Sequence, residues 1–280
     1  MKTILLPTDF SENSWNAIKY ALNLFETTPC TFYLLHVNNS NYIMANDSAY
    51  VPTEYFVENT FTKPSKLQLK KILKRICQEF PANKKHHFFT LTDYNFFIES
   101  IRKHVHEKQI DMIVMGTKGA TGLKKLIVGS NAADVIRKVK CTTLIVPESA
   151  TFASLNEIAF PTDYFLNYDV NLLKPLYEII KKYHSNLRVV HITHKSEELD
   201  LSQQNNKEVL KDFFNSFEVS FHILTNKKVE DAIECFIQSR DIKMMVMVAK
   251  NLNYFQQILF HSKIEDISYH TNVPFLVLHS

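Results

Sequence analysis

The chain repeats itself. Residues 4–9, ILLPTD, return as IAFPTD at 158–163, and 32–37, FYLLHV, return as LRVVHI at 187–192, with His191 standing for His36. A repeat on this scale means two copies of one structural plan, so whatever one half folds into constrains the other. At 280 residues the chain holds two domains of roughly 100–200 residues each, and the pattern restarts after Pro147. The expected domains are 1–148 and 149–280.

Within the first half, short apolar runs alternate with helical periodicity. Residues 3–6 read as a buried strand that stops at Pro7. Ser11 is placed to cap a helix, with Phe10 and Trp15 at the spacing of a hydrophobic staple. Trp15, Ile18, Leu22 and Phe25 then continue one apolar face. Residues 31–37 form a second strand, and the polar stretch 38–63 reads as a long loop positioned to cover a site. Leu69, Ile72, Leu73 and Ile76 stripe a basic helix whose Lys66, Lys70, Lys71, Lys74 and Arg75 make a solvated face. Strands at 86–91, 110–115 and 142–146 and a helix at 96–106 complete the half. Such alternation predicts an α/β fold: two tandem doubly wound parallel-sheet domains.

The chain's four glycines, Gly116, Gly119, Gly122 and Gly129, all lie between the fourth strand and a helix predicted over 130–139. Glycine admits positive φ and close backbone approach, so this is the expected binding loop. Ser130 stands where an N-cap would, and the free N–H groups of the first turn attract anions, phosphate above all. In a doubly wound sheet the ligand crevice lies where the strand order reverses.

The spacing Gly-x2-Gly-x9-Gly-Ser, made by Gly116, Gly119, Gly129 and Ser130, resembles the nucleotide loop of ATP-binding universal stress proteins. MKTILLPTDFSENSWNAIKYAL and TFYLLHV are similar to the opening strands and helix of the same family. The resemblance implies an adenine-nucleotide α-hydrolase-like fold with ATP, with or without magnesium, as its ligand. It places Asp9 and the backbone of Val37 at adenine, the turn from Gly116 to Gly119 by the ribose, and Gly129, Ser130 and Asn131 at the phosphates, with Pro7, Thr8 and Met115 also in the site. Family members often carry a hydroxyl two residues after the serine, where this chain has Ala132, which predicts weaker phosphate binding. Members commonly dimerise through their last strands. PFLVLHS aligns with TTLIVPE, so the two halves are expected to pair as an intrachain pseudo-dimer. Leu144, Val146, Leu276 and Leu278 would share one face of that contact, and a homodimer is also allowed.

The second half departs from the pattern. With Ser262 placed on Ser130, Val248, Asn251, Tyr254 and His261 replace the four glycines, while Asp163 is retained. Nucleotide is therefore expected in the first half only. The stretch from Asp163 to Ser262 is shorter than that from Asp9 to Ser130, which points to a deletion after the second strand. Pro175 requires the first helix of this half to kink or to begin late.

A formal charge of +3, with Lys and Arg interspersed among Asp and Glu, gives no face for nucleic acid. No apolar run approaches the ~20 residues that cross a bilayer, and Pro7 and Asp9 come too early for a signal peptide, so a cytoplasmic protein with no membrane partner is expected. Cys30, Cys77, Cys141 and Cys235 make no C-x-x-C pair and read as reduced, mostly buried thiols. Without the Lys-Ser/Thr ending of a P-loop, and with no legible base or paired carboxylates, a nucleotide-binding stress-response regulator is favoured. An adenylating or slowly ATP-hydrolysing enzyme and a ligand-free interaction module are the alternatives.

Overall fold

The computed structural model describes residues 1–39, 53–117, 129–193, 198–226, 229–250 and 273–279. Gly119, Gly122, Lys118, Asn251, Tyr254, His261 and Ser262 lie outside the described residues, as does half of the loop expected at 38–63. Among the described residues the chain divides into two compact units, the first ending at Glu148 and the second beginning at Ser149.

The first unit has five parallel strands: β1 (Lys2–Pro7), β2 (Cys30–Asn39), β3 (His86–Asn95), β4 (Met112–Gly116) and β5 (Thr143–Val146). They lie side by side as β3-β2-β1-β4-β5, so the winding reverses between β1 and β4. Ile4 pairs with Phe32 on one side and Met112 on the other. Both faces of β4 and β5 are buried, which suits their unbroken apolar runs. Asp111 fixes the start of β4, because its carboxylate accepts from the Thr3 N–H at 2.7 Å and its own N–H donates to the Thr3 carbonyl at 2.9 Å.

Helix α1 (Glu12–Leu24) is capped by Ser11, whose hydroxyl accepts from the Ser14 N–H. Trp15, Ile18, Leu22 and Phe25 are buried along it, as the periodicity requires. Of the two residues at staple spacing, Phe10 stacks on His36, with ring centroids 4.3 Å apart, and Trp15 lies 4.2 Å beneath the Arg75 guanidinium. Arg75 thus departs from its solvated neighbours on the basic helix. It holds both carboxylate oxygens of Glu12 and one of Glu79, tying that helix to α1.

The segment read as loop up to residue 63 contains helix. A one-turn helix, α2 (Glu54–Val57), is capped by Thr53 and passes through a π-helical turn (Glu58–Thr62) into α3 (Lys63–Glu79). The polar composition concealed it, since no apolar stripe marks those turns. Helix α4 (Phe97–Glu107) follows β3, with buried His104 meeting Asp93 at 2.9 Å. Helix α5 (Ser130–Lys138) precedes β5.

The second unit repeats the plan with β6 (Glu157–Pro161), β7 (Asn186–Thr193), β8 (Val219–Thr225), β9 (Met244–Val248) and β10 (Phe275–Leu278), ordered β10-β9-β6-β7-β8. Ile158 pairs with Leu187 and Met244, as Ile4 does with Phe32 and Met112. Its helices are α6 (Val170–Tyr183), α7 (Leu201–Phe213) and α8 (Val229–Arg240). Helix α6 begins late, behind an Asp169 cap, and accommodates Pro175 inside it. Only residues 194–200 separate β7 from α7, so the shortening falls after the second strand of this half.

Of the four cysteines, Cys30 and Cys141 are buried and Cys77 and Cys235 exposed, all free, which corrects the expectation of mostly buried thiols. Burial, with Asp111 nearby, pushes the Cys141 thiol up to about 12. No helix among the described residues is long and apolar enough to cross a membrane.

Candidate functional site

The carboxyl ends of β1, β2 and β4 converge where the first sheet reverses. Pro7 ends β1, and the Thr8 N–H donates to the Leu35 carbonyl at 2.8 Å, continuing the ladder to β2. The Thr8 hydroxyl lies 2.9 Å from that of Ser14 and accepts from the Phe10 N–H at 3.1 Å. These bonds turn the chain sharply, and Phe10 takes φ 67°. A non-glycine residue there costs roughly 1–2 kcal/mol, offset by its stack on His36, whose Nδ1 donates to the Thr8 carbonyl at 2.8 Å. Since a carbonyl can only accept, His36 carries a proton on Nδ1.

Asp9 is held by this turn. Its Oδ1 accepts from the Ser11 N–H at 3.1 Å and the Ser11 hydroxyl at 2.6 Å, while Oδ2 is shielded from solvent and without a hydrogen-bond partner among the described residues. The helix-capping role and a ligand role therefore use different oxygens. Val37 is half-buried in β2, two residues past Leu35, where the pairing of β2 with β1 ends.

Met115 and Gly116 close β4, both buried. Gly116 does not need positive φ. Its requirement is steric, for a Cβ there would stand 2.7 Å from the Asn13 side-chain oxygen and 2.9 Å from its Cγ. The Thr117 carbonyl accepts a short bond from the Gly129 N–H, so the glycine segment leaves and re-enters the fold at one place. The Thr117 hydroxyl, in a residue only 3% exposed, has no partner among the described residues.

Gly129, rather than Ser130, is the N-cap of α5, at φ −56° and ψ 154°, and no side chain caps the helix. Ser130 and Asn131 are its first two residues, both exposed. The sequence misleads by one residue because serine is the better capping side chain. Gly129 offers the N–H groups of this first turn no capping side chain, while Ala132 is buried. Of the predicted site residues, the structure brings together Pro7, Thr8, Asp9, Val37, Met115, Gly116, Gly129, Ser130 and Asn131; Gly119 lies outside the described residues.

Sequence reasoning missed His36, Asn13 and Thr117 as parts of this end of the sheet. The signal for His36 was present in its repetition as His191, whose Nδ1 meets the Thr162 carbonyl at 3.0 Å while its ring stacks on Tyr164. Tyr164 also matches Phe10 in its positive φ, 59°.

The second unit elaborates this turn into a sealed one. The Tyr168 hydroxyl bonds Thr162, Gln203 donates to the Asp163 carbonyl at 2.8 Å, and Asn206 donates to the Tyr164 carbonyl at 2.7 Å. Burial pushes the pKa of both tyrosines upward. Tyr168→Phe removes one partner of a buried hydroxyl pair and is expected to lower unfolding stability by about 1 kcal/mol in urea denaturation. An unchanged midpoint would show that this bond contributes nothing.

No group of His, Cys, Asp or Glu among the described residues is placed to hold a metal ion. The universal stress protein family model matches residues 1–147. A universal stress protein of Methanocaldococcus jannaschii is 30% identical over 148 residues, covering 52% of this chain and 81% of the relative. One of Bacillus subtilis is 29% identical over 146 residues, covering 51% of this chain and 97% of the relative. Among solved structures, a universal stress protein of Archaeoglobus fulgidus aligns over 98% of this chain and 97% of its own, with a TM-score of 0.69 and 19% identity. That likeness extends the fold through the second unit. With a family model spanning more than half of the sequence, this chain belongs to the universal stress protein family.

Proposed function

We propose that the first unit binds one adenine nucleotide, ATP with or without magnesium, and that the protein acts as a cytoplasmic stress-response regulator rather than as a catalyst. The observation that carries this reading is Asp9, whose Oδ2 is buried without a partner among the described residues, beside the ends of β2 and β4. A shielded carboxylate oxygen lacking a donor is costly, and an adenine amino group is the donor such a site suits. Asp9 and the Val37 main chain would read the base, Gly116 would lie by the ribose, and the uncapped turn at Gly129, Ser130 and Asn131 would hold phosphate oxygens. Ala132 offers them no hydroxyl, so modest phosphate affinity is expected.

The test uses the purified full chain. Calorimetry with ATP should give one site, and ATP at about a hundred times its dissociation constant should stabilise the fold by roughly 2.7 kcal/mol. Neither phosphate nor pyrophosphate should be released. Release of either would favour the enzyme, and absence of binding by ATP, ADP, AMP and cyclic AMP would leave a ligand-free module.

A further inference from the structure

Gly116 and Val248 occupy the same place in the two sheets. Gly116 ends β4 opposite Val146 of β5, and Val248 ends β9 opposite Leu278 of β10. Beside each runs a segment leading into the first helix of its unit, and the two segments differ in a way the β-strand residues explain.

In the first unit that segment brings Asn13, in the first turn of α1 and only 6% exposed, directly against the Gly116 Cα. The contact exists only because residue 116 has no side chain. In the second unit the counterpart of Asn13 is Asn167, which is exposed, and Val248 fills its own space. The helix there starts at Val170, whereas the position matching Glu12 is Leu166. Glycine has given way to valine while the asparagine, retained as Asn167, lies exposed, and the turn that carried Asn13 has been rebuilt around Tyr168.

We infer that Asn13 is a positioning residue for the glycine segment: packed behind Gly116, its amide fixes how the chain leaves β4 and so sets the Thr117–Gly129 closure at the mouth of α5. The inference rests on the nucleotide reading of the first unit, which it extends from residues that would touch the ligand to one that acts through Gly116. Gly116 on this view serves a protein contact and not a ligand's bulk. A methyl at position 116 presses on the flexible end of the Asn13 side chain, so the amide is what must move.

The experiment compares wild type, Asn13→Ala, Gly116→Ala and the double variant in the full chain. The first readout needs no ligand: hydrogen exchange of the Gly129 amide, which donates to Thr117, with the Ile113 amide inside β4, bonded to Thr142 at 2.9 Å, as the control for global stability. Each single substitution should speed Gly129 exchange at least about tenfold and weaken ATP binding by a similar factor, with Ile113 unchanged. In the double variant the methyl introduced at position 116 enters the space that the Asn13 amide vacated, and both properties should return to within about threefold of wild type. A double variant no better than the worse single one, or an Asn13→Ala protein unchanged in Gly129 exchange, overturns the inference. Should Asn13→Ala fail to fold, Asn13→Ser makes the same comparison. If exchange behaves as expected but wild type binds no nucleotide, the positioning role stands and the nucleotide reading alone fails.

Discussion

Gly129→Val is expected to abolish ATP binding while both units stay folded, and Asp163→Ala to leave binding intact. The reason lies in the conformation at residue 129. At φ −56° and ψ 154° it sits in extended space open to any L-residue, so valine adds no backbone strain. What it adds is branched bulk at the N-cap of α5, beside the N–H groups that would receive phosphate. A loss of at least about a hundredfold in affinity, about 2.8 kcal/mol, with an unchanged melting temperature without ligand, would separate ligand exclusion from misfolding. Asp163 resembles Asp9 in its turn, accepting from the Phe165 N–H at 3.0 Å, but the crevice beside it has Val248 in place of glycine and a carbonyl already bonded by Gln203. Calorimetry reads both variants. ATP bound by the Gly129→Val protein, or two equivalent sites in wild type, would show that the first turn of α5 does not receive the nucleotide.

The strands and most helices were legible because their cause is local. Runs such as Met112–Gly116 are apolar on both faces, and α1 announces itself by a serine cap and a 3.6-residue apolar period. The ends of the strands were legible for a different reason: two copies of PTD, each followed by an aromatic residue and later answered by a histidine, survive in halves that otherwise differ. Residue preference, however, does not tell that Phe10 and Tyr164 adopt positive φ: aromatic residues disfavour it, Thr8 and Thr162 only accept from N–H groups two residues on, and the stacks on His36 and His191 hold the two rings in place. The purpose of Gly116 was hidden likewise. Glycine suggests backbone freedom, but the need here is room for Asn13, a residue far away in sequence. Arg75 reads as one more cation on a basic helix until α1 brings Glu12 and Trp15 beneath it. In each case the deciding contact is tertiary.

Acidification should destabilise the second unit from about pH 6.5 downward, and His279 should be the largest contributor. The residue follows β10, and its Nε2 is buried without a partner among the described residues. Burial alone lowers its pKa from 6.5 to about 4, because the imidazolium would lose hydration that nothing replaces. The unfolded chain therefore takes up a proton near pH 6.5 that the folded chain refuses until about pH 4. Stability is fully present above the first value, falls between the two, and loses nothing further to this group below the second; over that interval the loss is roughly 3 kcal/mol. His222 acts in the same direction, its pKa lowered by burial and by Arg240 and Arg188. Glu157, held down by its bonds to Arg188, adds a separate loss only below the ordinary carboxylate value of 4.5. Urea denaturation of the full chain at pH 7 and pH 5 should show the midpoint falling in wild type. His279→Asn, which keeps a polar side chain without a proton to gain, should remove most of that fall. A direct check is the His279 ring resonance in NMR, expected to titrate near pH 4. Titration at the ordinary histidine value, or an unchanged acid limb in His279→Asn, would show that the imidazolium is solvated in the native state and that acid sensitivity originates elsewhere.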